Sequence, residues 1–187
     1  MPPLAAVSHP RAELYDHQEG RWRHVGIRFL GAARLALGAI FLWAFLDKLF
    51  GFSFATPPAR SVLQGGSPTK GYLSGAVGPF ANQFHAIAGN PVTDVLFMAG
   101  LCGVGLALLL GAGVRIAGVA GASMMLFMWL SHPPWAVTPA ASHPFLDDHI
   151  VYACVLLAFA FLHAGRALGL GRVWQGLAIV QRHPWLE

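Results

Sequence analysis

The stretch PVTDVLFMAGLCGVGLALLLGAG, residues 91–113, carries a single charged side chain, Asp94, close to its beginning. A helix that crosses the hydrocarbon core of a bilayer needs about 20 apolar residues, and this run is long enough to do so. Three further apolar runs occur in the chain. The sequence therefore predicts four membrane-spanning helices, at residues 25–50, 91–113, 114–131 and 146–165.

The composition agrees with a membrane protein. The chain has 187 residues, of which 56% are hydrophobic and 11% are charged, whereas soluble domains carry about 25% charged residues. The formal net charge is +4, but the basic residues flank the apolar runs and do not alternate with aromatic residues. No nucleic-acid partner is predicted; the expected surroundings are the lipid bilayer.

Lysine and arginine predict the orientation, because they gather on the cytoplasmic side of membrane proteins. They flank the first and last helices and occupy the turn between the second and third: Arg11, Arg21, Arg23, Arg28, Arg115, Arg166, Arg172 and Arg182. The connection between the third and fourth helices has none, and residues 51–90 have only Arg60 and Lys70. Both termini are therefore expected in the cytoplasm, with the two longer connections outside.

We divide the chain into three parts. Residues 1–24 form a polar cytoplasmic segment, residues 25–170 form the four-span membrane domain, and residues 171–187 form a cytoplasmic tail along the membrane surface. Residues 1–24 are too polar for a cleaved signal peptide, so we expect the first apolar helix to be retained. Residues 68–90 are too short and too broken to span, so they are expected as a partly helical, interfacial or re-entrant segment outside.

Small residues predict close helix packing. In the second run they recur every four residues, and the third run carries two such pairs: Ala99, Gly103, Ala107 and Gly111, then Ala117 with Gly121 and Gly118 with Ala122. Stripes of this kind let helix backbones approach closely in a membrane. The predicted fold is all-α, an up-and-down four-helix bundle.

This topology brings ionisable side chains together at the extracytoplasmic ends of all four helices. They are Asp47, Lys48, Asp94, His132, His143, Asp147, Asp148 and His149, with His85 from the long connection. Ionisable groups near the hydrocarbon layer are costly and usually pair or serve a function. These residues are the candidate functional site.

Three interpretations of this cluster are open. In the first, Asp147 or Asp148 caps the fourth helix and Asp94 caps the second, because carboxylates accept hydrogen bonds from free helix N–H groups. In the second, histidine and aspartate beside an apolar cleft bind and protonate a quinone head group. In the third, His132, His143, Asp147, Asp148 and His149 hold a metal; their spacing matches no strong motif, so no metal site is predicted.

Within the helices, Arg34 lies about two turns into the first span. It either snorkels toward the cytoplasmic interface, or pairs in the bundle, or holds a ligand; of these we favour snorkelling. Cys102 and Cys154 lie at similar depths and could face each other, but buried thiols usually serve packing. The chain has no CxxC or CxxCH motif, so neither haem nor an iron–sulfur cluster is predicted, and no flavin motif is present.

Four segments together resemble the DoxX family of four-helix membrane proteins. They are FLWAFLDKLFGF (41–52), GGSPTKGYL (65–73), GPFANQFH (78–85) and PFLDDHIVYA (144–153). With the glycine-rich second and third runs, the likeness extends from Arg28 to Trp174. The chain is most similar to the DoxD-like branch, which is labelled as the membrane subunit of a thiosulfate:quinone oxidoreductase.

The resemblance implies a four-span bundle in a bacterial plasma membrane that works with other membrane or extracytoplasmic subunits and exchanges electrons with quinone. Some DoxX-type chains are linked with thiol redox partners. Asp147, Asp148 and His149 match the recurring pattern of the family. A homo-oligomer is compatible with this resemblance.

The leading hypothesis is a quinone-linked redox subunit. Asp148 and His149, with Asp147, would handle protons; Lys48, Asp47 and Asp94 would complete a charge network, and His132 would bind the head group. Arg34 is a further candidate for ligand binding. The alternatives are a non-catalytic structural or assembly subunit, in which the same charges tie helix ends together, and, as a weaker option, a small-molecule transporter.

Overall fold

The computed structural model of the chain describes residues 10–137 and 143–186. All regular elements in these ranges are helical, which confirms the all-α class for this part of the chain. The α-helices are α1 Pro10–Phe50, α2 Lys70–Ser74, α3 Ala81–Ile87, α4 Pro91–Leu110, α5 Val114–Ser131, α6 Asp148–Phe161, α7 Gly171–Gln175 and α8 Ala178–Arg182.

Three helical segments are long and apolar enough to cross a membrane: Trp22–Phe50 within α1, Pro91–Leu110, and Val114–Ala136. These segments indicate a membrane protein. Helix α6 is also apolar but has 14 residues, which corresponds to a length of about 21 Å.

The bounds of three helices differ from the sequence expectation. Helix α4 ends at Leu110 and not at residue 113, because Gly111 adopts a left-handed conformation with φ 76°. Helix α1 begins at Pro10, so the polar residues before the first apolar run are helical from there on, in keeping with the high helix propensity of the Arg, Ala, Glu and Leu that they include. Helix α6 ends at Phe161, because His163 adopts a left-handed conformation with φ 52°. The chain then folds back, and Leu170 donates its N–H to the carbonyl of Leu110 at 2.7 Å.

Neighbouring long helices run antiparallel and approach closely at glycines. A Cβ atom on Gly105 of α4 would lie 2.7 Å from the backbone N of Leu42 in α1, and one on Gly118 of α5 would lie 2.5 Å from the carbonyl oxygen of Leu156 in α6. Side chains from α1, α4, α5 and α6 fill the core between these helices: Leu37, Phe41, Leu101, Val104, Leu108, Met125, Leu156 and Phe159.

The packing stripes of the sequence are confirmed in α5 and wrong in α4. Ala117, Gly118, Gly121 and Ala122 are all buried. In α4, by contrast, Gly103 is exposed, and a Cβ atom there would meet nothing within 4 Å. The contact with α1 uses Gly105, on a different face of α4, and a small-residue period alone does not identify which face meets a neighbour.

Residues 51–90 lie across one end of the long helices, where α1 and α5 end and α4 and α6 begin. We call this the cap end, and we call residues 51–90 the cap segment. Val77 donates its N–H to the carbonyl of Ser131 at 2.9 Å, which ties the segment to α5. The opposite end carries the short connection 111–113, and we call it the turn end. Helices α2 and α3 confirm that the connection between the first two spans is partly helical.

Candidate functional site

Asp47 is buried near the end of α1 and is 1% exposed. Its Oδ1 accepts a hydrogen bond from the N–H of Phe54 at 3.3 Å, and its Oδ2 accepts one from the N–H of Ala55 at 3.0 Å. A carboxylate that accepts main-chain bonds in this way satisfies donors that would otherwise be left without a partner. Asp47 therefore fixes the turn that leads from α1 into the cap segment.

Asp94 ties α4 to the cap segment. Its Oδ1 accepts hydrogen bonds from Ser67 Oγ at 2.9 Å, from Thr69 N–H at 3.2 Å and from the Thr69 hydroxyl. The expectation that Asp94 caps α4 is wrong, because the N-cap is Asn90, whose Oδ1 accepts from the N–H of Val92 at 2.9 Å. Proline at position 91 starts the helix, since its fixed φ suits the first helical residue. The N-cap is therefore the residue directly before it, Asn90.

Asp147 is the N-cap of α6. Its Oδ1 accepts from the N–H of Ile150 at 3.3 Å, and its Oδ2 lies 2.8 Å from Nδ1 of His149. Asp148 is mostly exposed, and its Oδ1 lies 3.5 Å from the same nitrogen. Of the two adjacent acids, Asp147 caps the helix, while both carboxylates lie beside His149. The three residues offer ligand atoms within 4.8 Å of one another, a closeness that follows from their positions in one helix turn.

These carboxylates form three local arrangements and not one network. Among residues 10–137 and 143–186, no hydrogen bond or ion pair joins Asp47, Asp94 or Lys48 to the group at the start of α6. His85 at the cap end also bonds locally: its Nε2 lies 3.0 Å from the carbonyl of Ala76. Each acid is thus engaged close to its own helix end.

A cleft of about 770 Å³ opens at the cap end between α1, the cap segment, α4 and α5. Most of its walls are apolar: Leu73, Phe84, Ile87, Leu96, Phe97, Met124, Phe127 and Met128. Its polar groups are hydroxyls and two cations: Thr56, Ser67, Thr69, Tyr72, Thr93, Ser131, Lys48 and Arg60. Among the described residues of the lining there is no Asp or Glu. Clefts of this size and composition are typical of small-molecule sites.

Of the predicted site residues, Lys48 alone is in the described lining of this cleft. Its Nζ lies 5.9 Å from the centre of the Phe97 ring, close enough for a cation–π contact. In the part of the chain that the structure describes, the ammonium makes no hydrogen bond or ion pair. Its three N–H donors are available to a ligand in the cleft.

Tyr72, Ser131 and His132 form a polar group at the α5 wall of the cleft. The rings of Tyr72 and His132 lie 4.4 Å apart between centres, and Ser131 Oγ lies 3.1 Å from His132 Nδ1. Tyr72 and Ser131 line the cleft, whereas His132 lies behind them. Burial raises the pKa of the Tyr72 phenol, and the negative charges of Asp147 and Asp148 raise this pKa further. The phenol therefore stays protonated at neutral pH and can donate a hydrogen bond.

Arg34 lies far from this group, toward the turn end. Its guanidinium is fully buried and donates to the carbonyl of Leu108, to that of Ala167 at 2.9 Å and to that of Leu168 at 3.0 Å. The expected snorkelling to the interface is wrong, because main-chain carbonyls at the end of α4 supply the partners inside the protein. Within the described residues, the Nη atoms of the guanidinium bind main-chain carbonyls.

Cys102 and Cys154 are both free thiols in the structure, and Cys154 is exposed on α6. No disulfide joins them.

Comparisons with protein-family models, with curated proteins and with solved structures found no match for this chain. The chemistry of the site is therefore read from its own groups. An apolar cleft with hydrogen-bond donors on two walls fits a ligand that has an apolar body and oxygen acceptors.

The sequence did not identify Tyr72, Ser131 or Arg60 as site residues. Tyr72 and Ser131 meet only because the cap segment folds back onto the end of α5, and Arg60 reaches the cleft from the same segment. The available signal was GGSPTKGYL, a polar and turn-rich stretch that contains Tyr72 within a membrane protein.

Proposed function

We propose that this protein is a DoxX-like membrane subunit of a quinone-linked redox system, of the thiosulfate or thiol oxidoreductase kind, in a bacterial plasma membrane. In this proposal α6 and the residues after it form a fourth span, and the long helices form a transmembrane bundle. Both termini lie in the cytoplasm and the cap end lies outside. The motifs FLWAFLDKLFGF and PFLDDHIVYA support the family, and the distribution of Lys and Arg supports the orientation.

The observation that carries the proposal is the cleft at the cap end. Its apolar walls, among them Leu96 and Phe127, suit an aromatic ring and a hydrocarbon tail. Its donors come from different elements: Lys48 from α1 and Tyr72 from α2, whereas the buried hydroxyl of Ser131 in α5 is engaged by Met128 and His132. A bound quinone supplies ring oxygens that accept hydrogen bonds, electrons and protons. Donors on separate walls would hold such a ring by both of its oxygens.

The charge balance of the cleft supports the same ligand. Lys48 and Arg60 line it, and the lining residues that the structure describes include no carboxylate. Positive groups fixed in a poorly solvated site stabilise negative charge that develops on a ligand oxygen. Lys48 would therefore contact a ring oxygen and favour reduction of the bound ligand. The nearby Asp47 and Asp94 do not line the cleft, and their carboxylates accept hydrogen bonds from main-chain and hydroxyl donors.

His149 is the proton-handling group of this proposal. Its Nδ1 lies 2.8 Å from Asp147 and 3.5 Å from Asp148, and an imidazole can both accept and donate a proton. Asp148 is 70% exposed and can exchange protons with water. We call His149 and Asp148 the His149 pair. In this proposal the pair provides a reservoir of protons at the same end of the helices as the cleft.

Tryptophan substitution tests the cleft. Leu96→Trp places an indole in the lining, whereas Leu106→Trp adds the same group to an exposed position of α4 outside the cleft. The protein is purified gently, and retained quinone is measured by mass spectrometry. We expect quinone with the wild type and with Leu106→Trp, and loss of most of it with Leu96→Trp. Absence from the wild type, or equal retention in all three folded proteins, would refute quinone binding in the cleft.

A structural or assembly subunit is the second candidate. It is favoured by one observation: Asp47, Asp94 and Asp147 all accept hydrogen bonds that fix loops or helix ends. In that case the cleft holds ordinary membrane phospholipid. The same mass spectrometry then finds phospholipid and no quinone, and filling the cleft leaves the redox state of the quinone pool in cells unchanged.

A further inference from the structure

Tyr72 stands between the cleft and the ionisable residues behind it. Its ring lines the cleft on one side and contacts the His132 ring on the other. Its hydroxyl lies 3.4 Å from the carbonyl of Met128, and Ser131 Oγ lies 2.8 Å from the same carbonyl. A ligand in the cleft would therefore meet the Tyr72 hydroxyl before any histidine or carboxylate of the cap end.

Ser131 can pass a proton between Tyr72 and His132. Its Oγ is fully buried and lies 2.8 Å from the carbonyl of Met128 and 3.1 Å from His132 Nδ1. The carbonyl of Gly75 accepts a hydrogen bond from His132, which leaves Nδ1 facing the serine. A hydroxyl both donates and accepts. When Nδ1 is unprotonated, Ser131 donates to it, and when Nδ1 is protonated, Ser131 accepts from it and donates to Met128.

Ionisable groups of two other elements act on Tyr72. His132 contacts its ring from α5, and Asp147 and Asp148 act on it electrostatically from the start of α6. His132 in turn lies within electrostatic range of His149. Lys48 and Arg60 line the same cleft as Tyr72. The phenol thus lines a cleft that holds two cations and contacts His132, which is not part of that lining.

We propose that Tyr72 is the residue that donates protons to a quinone oxygen in the cleft, and that Ser131 and His132 resupply it from the His149 pair. This inference rests on the proposed function. Full reduction of a quinone takes up two electrons and two protons, and two thiols that become a disulfide release the same number of each. For each proton, the Tyr72 O–H bond breaks as an O–H bond forms on the ring oxygen. Ser131 returns a proton to Tyr72, His132 Nδ1 returns one to Ser131, and the His149 pair reprotonates His132.

Tyr72→Phe tests the donor directly, with Tyr152→Phe as the matched control. Tyr152 packs against the core from α6 and does not line the cleft. With quinone retained by the purified protein, infrared difference spectra report the hydrogen bonding of its carbonyls. We expect Tyr72→Phe to move one carbonyl stretch to higher frequency and to weaken quinone binding about fivefold, as expected for loss of one hydrogen bond. Tyr152→Phe should leave both values unchanged.

The rate of proton uptake separates donation from positioning. Electrochemical reduction of the retained quinone, with proton uptake followed by a pH-indicator dye, needs no natural electron donor. Tyr72→Phe is expected to slow uptake about 100-fold, the range typical of a lost general acid. Ser131→Ala should slow it as well, while the carbonyl frequencies stay those of the wild type.

Two results have different meanings. If the wild type retains no quinone, the proposed function fails. If the wild type retains quinone, but Tyr72→Phe matches it in carbonyl frequency and in proton uptake, quinone binding survives and the role of Tyr72 is overturned.

Discussion

At the scale of single residues, Arg34 shows how a membrane protein accommodates a charge without a carboxylate. The last carbonyls of a helix lack partners within it and carry partial negative charge. Arg34 donates to the carbonyls of Leu108 and Leu109 at the end of α4, and also to those of Ala167 and Leu168. One guanidinium thereby joins α1, α4 and the segment after α6 at the turn end.

Replacing Arg34 with methionine should therefore be costly. The change removes the donors of several buried carbonyls, and we expect the free energy of unfolding to fall by about 3 kcal/mol. Arg28→Met on the same helix is the control, because Arg28 is exposed and its loss should change stability by less than about 0.5 kcal/mol. Denaturant titration of both variants in the same detergent measures the difference. Equal losses would show that the contacts of Arg34 contribute nothing particular to stability.

At the scale of helices, glycine has opposite effects at two positions that look alike in the sequence. Gly118 lies where α5 meets α6, and an added Cβ would be 2.5 Å from the carbonyl oxygen of Leu156 and 2.8 Å from Cβ of Ala160. Because backbone oxygen cannot move aside without shifting a helix, the contact demands glycine. Gly103 in α4 has open space at the corresponding point. Only the structure distinguishes the two.

Alanine substitution at these two glycines should change stability in opposite directions. Gly103→Ala removes the helix penalty of glycine without a clash and should stabilise the protein by about 0.5–1 kcal/mol. Gly118→Ala makes the same gain but must separate α5 from α6, and overpacking of this kind costs about 1–3 kcal/mol. Thermal unfolding in one detergent compares the two with the wild type. A shift of the same sign and size in both variants would contradict the packing described for α5 and α6.

At the scale of the whole molecule, local patterns predicted the helices well and their meeting points poorly. The length of the apolar runs identified α4 and α5. The bounds of α5 agree with the predicted bounds, because residues next to each end of this helix mark in the sequence where it begins and ends. The cleft could not be predicted, since it exists only where residues 51–90 fold across the helix ends. Lys48 was named as a site residue for its charge, whereas Tyr72 was missed because its importance depends on contact with His132.

The path of α6 decides how many times the chain crosses the membrane. The helix has 14 residues, about 21 Å by the usual rise, whereas the hydrocarbon core is about 30 Å thick. Its first residue nevertheless lies at the cap end. After the helix ends, the chain reaches the turn end by Leu170, whose N–H donates to the carbonyl of Leu110. The residues after Phe161, which include the 3-10 helix Ala164–Arg166, thus complete the distance, and we expect the segment as a whole to cross.

Cysteine labelling tests this topology. In a background where Cys102 and Cys154 are alanine, Gln64→Cys marks the cap segment and Gln181→Cys marks α8; both glutamines are exposed. A membrane-impermeant maleimide added to intact bacterial cells should label position 64, and label position 181 only after the membrane is permeabilised. Labelling of both in intact cells would mean that α6 does not cross, so that three spans leave the tail outside. Labelling of position 181 alone would invert the orientation and place the cleft on the cytoplasmic side, where its protons would come from the cell interior.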